Sequence, residues 1–456
     1  MRILVIFAVA MLLGACATRG SLDVDCAGFV EPLPGKGAFR HPLPLSPLEK
    51  QIRGLDGEPD PLGNGQTESG LLTRTLYAYQ QAAFRQKLHD ADPLKENPDL
   101  GPPAILMLSG GGQWGAFGAG FLSRLAERGM IPNFFMVTGV STGGLQAMFV
   151  GSDHPKRFTW LRDAYTIDHE KNVVNRNPKA IALLTGSFAG LKPLRRRVGS
   201  ALCSDVASES CPAIEALKAS NRQILIGYIE ARSGDFFYSD IHQIANDTDN
   251  GNARQCISGA ALASSAMPVT FQQVRINGRA YYDGGVRQSV FAGFAERLGR
   301  AVRALETGEP VDSIDGLPFY VVRNGPTSLI TGEGDGGVDR SPDALTAAER
   351  AQQIVTNQLE VGSIAALRLL KPTGPIHFVA ADGWDHHTFI TRKGKQLTCG
   401  EIRSQLKGAM FHPDFMDCLM DYGRVRADSV APWRELMAIA DEKREAMTVG
   451  TGVELP

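Results

Sequence analysis

What this chain lacks narrows its function before any motif is read. Its 47 basic and 49 acidic residues leave a net charge of −2, so it has none of the one-sided charge that favours nucleic acid. No internal repeat is visible. No spacing among its seven cysteines and nine histidines fits a zinc site, and neither a metal nor an organic cofactor is expected. The apolar run Met1 to Ala15, MRILVIFAVAMLLGA, falls short of the roughly 20 residues that span a bilayer. What remains is a chain with ample core material, 43% hydrophobic, long enough for one α/β domain with extensions or for two domains. It also holds 50 glycines.

Ten of those glycines fall between Ala104 and Gly144, AILMLSGGGQWGAFGAGFLSRLAERGMIPNFFMVTGVSTGG. Ala104 to Leu108 is an unbroken apolar run, which suits a strand buried on both faces of an α/β sheet. Gly110, Gly111 and Gly112 break it, and their uncovered N–H groups can point at a reacting oxygen, as in an oxyanion hole. A helix follows, with Phe117, Phe121, Leu122 and Leu125 on its apolar face and Gly115, Gly118 and Gly120 allowing close approach to the sheet. Phe134 to Val137 forms a second strand, and Gly139-Val140-Ser141-Thr142-Gly143 comes directly after it. A G-x-S-x-G between strand and helix is a nucleophile elbow, which presents a serine oxygen on a sharp turn. The same glycine loop also fits G-x-G-x-x-G. The dinucleotide reading needs an acid at the end of the next strand, and the nearest acid, Glu127, belongs to the helix.

A serine nucleophile needs a base. Downstream, Val274 to Ile276 and Ala280 to Tyr282 read as strands around the turn Asn277-Gly278. Asp283 closes the second strand and is released into Gly284-Gly285, where it can face a neighbouring strand end. A second Asp-Gly-Gly, at Asp335, has no strand leading into it and reads as a solvated loop. The rival base is a histidine. The order Ser141, Asp283, then His377, His386 or His387 matches an α/β-hydrolase triad.

Three blocks together resemble the signature of patatin-like phospholipases: Gly110-Gly111-Gly112-x-x-Gly115, Gly139-Val140-Ser141-Thr142-Gly143, and Ala260 to Pro268 (AALASSAMP) with Asp283-Gly284-Gly285. The resemblance implies a three-layer α/β/α sandwich. It implies a Ser-Asp dyad that hydrolyses acyl esters, with Ser141 the nucleophile, Asp283 the base, and Gly110, Gly111 and Gly112 the oxyanion loop, in which the Gly111 and Gly112 amides are the donors. The chain departs from the family at Trp114, where a basic residue is usual. Trp114 therefore offers no cationic contact to a phosphate, and either lines the acyl entrance or packs on the sheet edge.

At the amino terminus, Arg2 precedes the apolar run, and Leu13-Gly14-Ala15-Cys16 resembles a bacterial lipobox. On that reading residues 1–15 are a signal peptide and acylated Cys16 anchors the protein to membrane. Ala17 after the cysteine points to the outer membrane facing the periplasm. Ordinary cleavage or a short anchor is the alternative. The other six cysteines form an even set that fits an exported protein. Cys203 with Cys211 and Cys399 with Cys418 are spaced to close short loops, although six cysteines allow many pairings.

The expected organisation is a proline- and glycine-rich tether over 16–103 with one helix near Ser69 to Leu88, a catalytic domain over 104–390, and a mainly helical extension over 391–456. Asp153 to Ser220 is the expected source of pocket walls, and Arg195, Arg196 and Arg197 read as a solvated face. The function expected is a phospholipase or lysophospholipase acting on lipid at a membrane. A Ser-Asp-His carboxylesterase or thioesterase is the alternative, and a non-catalytic envelope lipoprotein that binds lipid or protein is the alternative of another class.

Overall fold

The computed structural model describes residues 20–45, 47–55, 65–91, 99–204, 210–292, 317–330, 344–406 and 408–438. Residues 1–15, expected to be a signal peptide, lie outside the described residues, as do Cys16 and the Asp335 loop.

Strand β1 (Ser21–Val24) and helix α1 (Gly65–Ala91) precede β2 (Asp99–Leu108), which contains the first apolar run. Helix α2 (Gly115–Glu127), β3 (Ile131–Val140) and α3 (Thr142–Gly151) follow, then α4 (Arg157–Tyr165) and α5 (Lys192–Leu202). Next come the antiparallel pair β4 (Gln223–Glu230) and β5 (Phe236–Asp240), α6 (Asn250–Ser264), and the hairpin of β6 (Gln273–Ile276) and β7 (Arg279–Asp283). Strand β8 (Phe319–Arg323), α7 (Ala344–Leu370), β9 (Ile376–Ala380), α8 (Pro413–Asp428) and β10 (Arg434–Glu435) complete the framework.

The strands lie in the order β1-β6-β7-β4-β3-β2-β8-β9-β10, with β5 pairing β4 off this path. The five central strands, β9, β8, β2, β3 and β4, are parallel. They are apolar on both sides, and successive residues feed two separate cores. Leu106, Leu108, Val137, Ile226 and Val322 face α2, α3, α6 and α8. Ile105, Met107, Met136, Leu225 and Val321 face α1 and α7. A mostly parallel sheet covered by helices on both faces is the three-layer α/β/α arrangement.

Two expectations about the flanks change. The amino-terminal segment is not simply a tether: β1 pairs with β6, residues His41–Pro42 pair with β5, and a disulfide joins Cys26 to Cys256. The cause is apolar content hidden among the prolines, since Leu22, Val24, Phe29 and Phe39 are all buried. The carboxy-terminal segment is not separate either. Phe415, Met416 and Leu419 of α8 belong to the same core as α2, and β10 adds a strand at the sheet edge. Gly120 serves this helix pairing rather than the sheet, because a Cβ there would overlap the Met420 carbonyl. The two short-range cysteine pairs, Cys203–Cys211 and Cys399–Cys418, are disulfides.

Candidate active site

Ligand sites in open α/β sheets gather at the carboxyl ends of the parallel strands, and three of this chain's strand ends meet there. The glycine loop leaves β2, Ser141 leaves β3, and Asn324 leaves β8. Asp283 arrives from the opposite direction. Strand β3 runs parallel to β4 and ends with Val140 opposite Gly227, while β7 runs antiparallel to β4 and ends with Asp283 opposite Tyr228, the next residue. Two converging strands thus deliver the serine and the aspartate to one point, where both line the same cleft and the Ser141 side chain favours the charged form of Asp283.

The elbow is strained and firmly held. Ser141 has φ 55° and ψ −126°, a conformation rarely adopted by non-glycine residues. Gly143 makes the turn sterically possible, because a Cβ there would overlap the Leu108 carbonyl. The Ser141 N–H donates to Ser264 Oγ (2.7 Å), whose hydroxyl donates to the Gly227 carbonyl (2.6 Å). Behind the elbow, Tyr165 is buried and its hydroxyl donates to the Thr142 carbonyl at 2.7 Å.

The glycine loop, expected to hold the oxyanion donors, divides unequally. The Gly110 N–H donates to Ser289 Oγ at 3.1 Å, so the structure removes Gly110 from the set of free donors, and its role is to anchor the loop. Among the described residues no protein atom accepts from the Gly111 or Gly112 N–H. Gly111 has φ 146°, and a Cβ on it would overlap the Asn324 carbonyl oxygen. A buried polar network supports the loop from beneath. The Asn324 amide nitrogen donates to the Ser109 carbonyl (2.8 Å) and to Gln146 Oε1 (2.9 Å), and Gln146 Nε2 donates to the Gly115 carbonyl (2.7 Å). Gln146 lies on α3, so the helix that follows Ser141 and the glycine loop are tied together.

Asp283 is 1% exposed. Burial pushes its carboxyl up to about 7; the Ser141 side chain and the hydrogen bond from the Gly285 N–H oppose this, and the nearby Glu360 carboxylate adds to it. A carboxylate poised near neutrality is suited to take a proton from a serine hydroxyl. Glu360 is also buried, is raised by burial, and pairs with Arg323 at 2.7 Å.

Ser141 stands where two hollows meet. One is an apolar cavity on the α3 side of the sheet, walled mainly by α3, α4 and α5 through residues such as Leu145, Met148, Trp160 and Leu194, with Val174 and Leu217. The other is a cleft more polar than the cavity, which contains Asp283, Gly111, Arg323, Asn324 and Glu360 beside apolar walls from Met267, Leu329, Ile330 and Met410. Ser141, Gly112, Phe271 and Phe411 line both. The segment Asp153 to Ser220 does supply cavity walls, including Val173, Val174, Leu191 and Val198.

The histidines do not join this centre. His386 is exposed beside Asp385, His387 pairs with Asp421 at 2.9 Å, and His377 stacks on Tyr320. Among the described residues none lines the cavity or the cleft with Ser141, so the expected alternative of a Ser-Asp-His triad is not assembled. Trp114 lines the cleft and not the apolar cavity, and it packs edge-on against Trp384 and against Phe415 of α8 and not on the sheet edge. Two of the three arginines are not a solvated face. Arg195 reaches the Asp23 carbonyl, and Arg197 donates to the carbonyls of Asp163, Ala164 and Thr166 at the end of α4. Sequence reasoning missed Tyr165, Gln146, Ser289, Asn324 and Glu360. Ser264 was within reach, since it sits in the AALASSAMP block.

No curated protein matches the chain. Among solved structures, VipD from Legionella pneumophila is similar over 52% of this chain at 14% identity, with a TM-score of 0.28; the chain spans about half of that protein (52%), and so loose a likeness adds nothing further. The family model described as patatin-like phospholipase matches residues 106–295, an interval that contains the glycine loop, Ser141 and Asp283. The chain carries a patatin-like phospholipase domain across those residues.

Proposed function

We propose that the protein is a lipid acyl hydrolase that works through Ser141 and Asp283 without a histidine. The observation that carries this reading is the convergence of Ser141 and Asp283, delivered by strands that end against adjacent residues of β4, at the junction of an apolar cavity and a more polar cleft. Asp283 takes the Ser141 proton as the serine oxygen attacks the ester carbonyl. The Gly111 and Gly112 amides stabilise the oxyanion, the alcohol leaves with the proton, and water then hydrolyses the acyl-enzyme. The two hollows match the two halves of such an ester, the acyl chain in the cavity and the polar alcohol, a phospholipid or lysophospholipid headgroup, in the cleft. Three disulfides support an exported protein, and acylation of Cys16 would hold it at an envelope membrane. Among the described residues no helix is long and apolar enough to cross a membrane.

The test is fatty-acid release from phospholipid, lysophospholipid and short-chain esters by wild type, Ser141→Ala, Asp283→Asn and the double variant His386→Ala/His387→Ala. Loss in the first two with retention in the third is expected. Loss in the histidine variant, in protein that stays folded, would overturn the dyad. Absence of release by folded wild type from any substrate would favour a lipid-binding lipoprotein.

A further inference from the structure

The glycine loop and the base share a neighbour that the proposed chemistry does not use. Glu360, on α7, is 6% exposed and sits between two partners. On one side its Oε1 accepts from Ser289 Oγ at 3.4 Å, and Ser289 Oγ in turn accepts the Gly110 N–H at 3.1 Å. On the other side its Oε2 pairs with Arg323 Nη2 at 2.7 Å, and the same Nη2 donates to Asn357 Oδ1 at 3.0 Å. Gly110 separates this carboxylate from the nucleophile: a Cβ built on Gly110 would lie 3.3 Å from Ser141 Cβ and 3.6 Å from Glu360 Oε1. Ser289, Glu360 and Arg323 are all buried. A charged side chain in such a place is costly unless it is held by partners.

We propose that Glu360 is a positioning residue for the Ser141 centre: through Ser289 it fixes the Gly110 turn that carries the oxyanion donors, and as a second buried carboxylate of the same cleft it sets the charge that Asp283 faces. This rests on the serine hydrolase reading above. Its two parts have separate physical routes. The first is a relay of hydrogen bonds from α7 to the loop, which sets the orientation of Gly111 and Gly112 because they continue from an anchored Gly110. The second is electrostatic, since a like charge held in a buried site disfavours ionisation of its neighbour. The charged or titratable side chains lining the cleft are Asp283 at the end of β7, Arg323 at the end of β8, Glu360 on α7, and Arg403. Arg323 is the immediate counterion of Glu360, so the strength of that pair moderates what Asp283 feels.

The two routes predict different signatures. Because the base must be ionised, kcat/KM rises with pH through an acid limb. Glu360→Gln removes the negative charge and should move that limb down by about one pH unit. Glu360→Asp keeps the charge and should leave the limb at its wild-type position. Ser289→Ala cuts the relay without changing any charge, and should lower kcat about tenfold with KM and the limb little changed, the size expected of a misaligned oxyanion donor. If Glu360→Gln does not fold because Arg323 is left unpaired, Arg323→Gln removes the counterion instead, leaves the Glu360 charge uncompensated, and should move the limb up. A purely structural Glu360 would depress rate at every pH with the limb unmoved, and that result would overturn the electrostatic half. An unaltered kcat in Ser289→Ala would overturn the relay. Dependence on Ser141 is measured alongside: activity that survives Ser141→Ala defeats the serine reading itself, whereas an unmoved limb in an enzyme that still needs Ser141 defeats this inference alone.

Discussion

The two hollows that meet at Ser141 are built by opposite means. The cavity on the α3 side of the sheet is walled almost wholly by apolar side chains, and its one arginine, Arg197, turns to the carbonyls at the end of α4. The cleft on the other side gathers Asp283, Glu360, Arg323 and the free glycine amides, with a further buried network of Asn324 and Gln146 under its floor. An apolar wall tolerates any chain of suitable girth, because dispersion and burial are non-directional. The polar side tolerates little, because each buried donor or charge depends on a partner in a fixed place. The difference teaches where a change should abolish the reaction and where it should only redirect it.

The largest effect is expected at the base. Asp283→Asn removes the proton acceptor but preserves shape, and should lower kcat about 10³-fold. The same substitution should stabilise the fold. The carboxyl of Asp283 is raised from 3.8 to about 7 by burial, so the folded state holds its proton more tightly than the unfolded chain. Stability from this group is therefore complete below about pH 4 and is lost as pH rises towards 7. Asparagine carries no such penalty. At pH 8 the variant should exceed wild type by up to roughly 4 kcal/mol, and at pH 4 the two should converge. Calorimetry at both pH values checks this, and a variant less stable than wild type at pH 8 would show that the carboxylate is better compensated than its burial implies.

The glycine loop comes next. Gly111→Ala forces a side chain into the Asn324 carbonyl at φ 146°, so the loop must move. Loss of one aligned donor is worth about 10²-fold in kcat, and KM for a short ester should change little. Gly112→Ala is the instructive partner, since a Cβ at Gly112 meets nothing within 4 Å and the cost there is one of backbone angle alone, φ 57°. Its kcat should fall less than that of Gly111→Ala. Equal losses would mean that loop conformation, rather than the contact with Asn324, sets the donor geometry.

The sequence makes legible what neighbouring residues encode together. The buried strands β2 and β3, the elbow around Ser141 and the turn at Asn277-Gly278 are local patterns, as are the two cysteine pairs that close short loops. The meeting of Ser141 with Asp283 is different: it depends on both β3 and β7 ending against adjacent residues of β4, and only the match of three motif blocks to a family pointed to it. Ser289, Asn324 and Glu360 carry no local signature at all. A lone serine, asparagine or glutamate reads as surface, and each becomes buried only because its strand end or helix closes over the glycine loop. The amino-terminal strand β1 was missed for a related reason. Its four residues are too few to reveal alternation, and its partner, β6, lies some 250 residues away (Ser21 against Gln273).

The smallest effect should come from the apolar side, and it is the one that tests whether that side holds an acyl chain. Ala213 lines the cavity but not the cleft, and is buried at 7% exposure. Ala213→Leu would occupy cavity space without touching Ser141, Asp283 or the glycine loop. If the cavity receives the acyl chain, a long chain must give up contacts or bend, at a cost of roughly 1 to 3 kcal/mol for each excluded methylene or two. A short chain that stops before Ala213 loses nothing. The ratio of kcat/KM for long against short acyl esters should therefore fall about tenfold, with the short-ester rate and its pH profile unmoved. A proportional fall on both substrates would mean that the leucine had disturbed the Ser141 elbow through α3. An unchanged ratio would send the acyl chain to the cleft instead, and with it the division of labour on which the comparison of the two hollows rests.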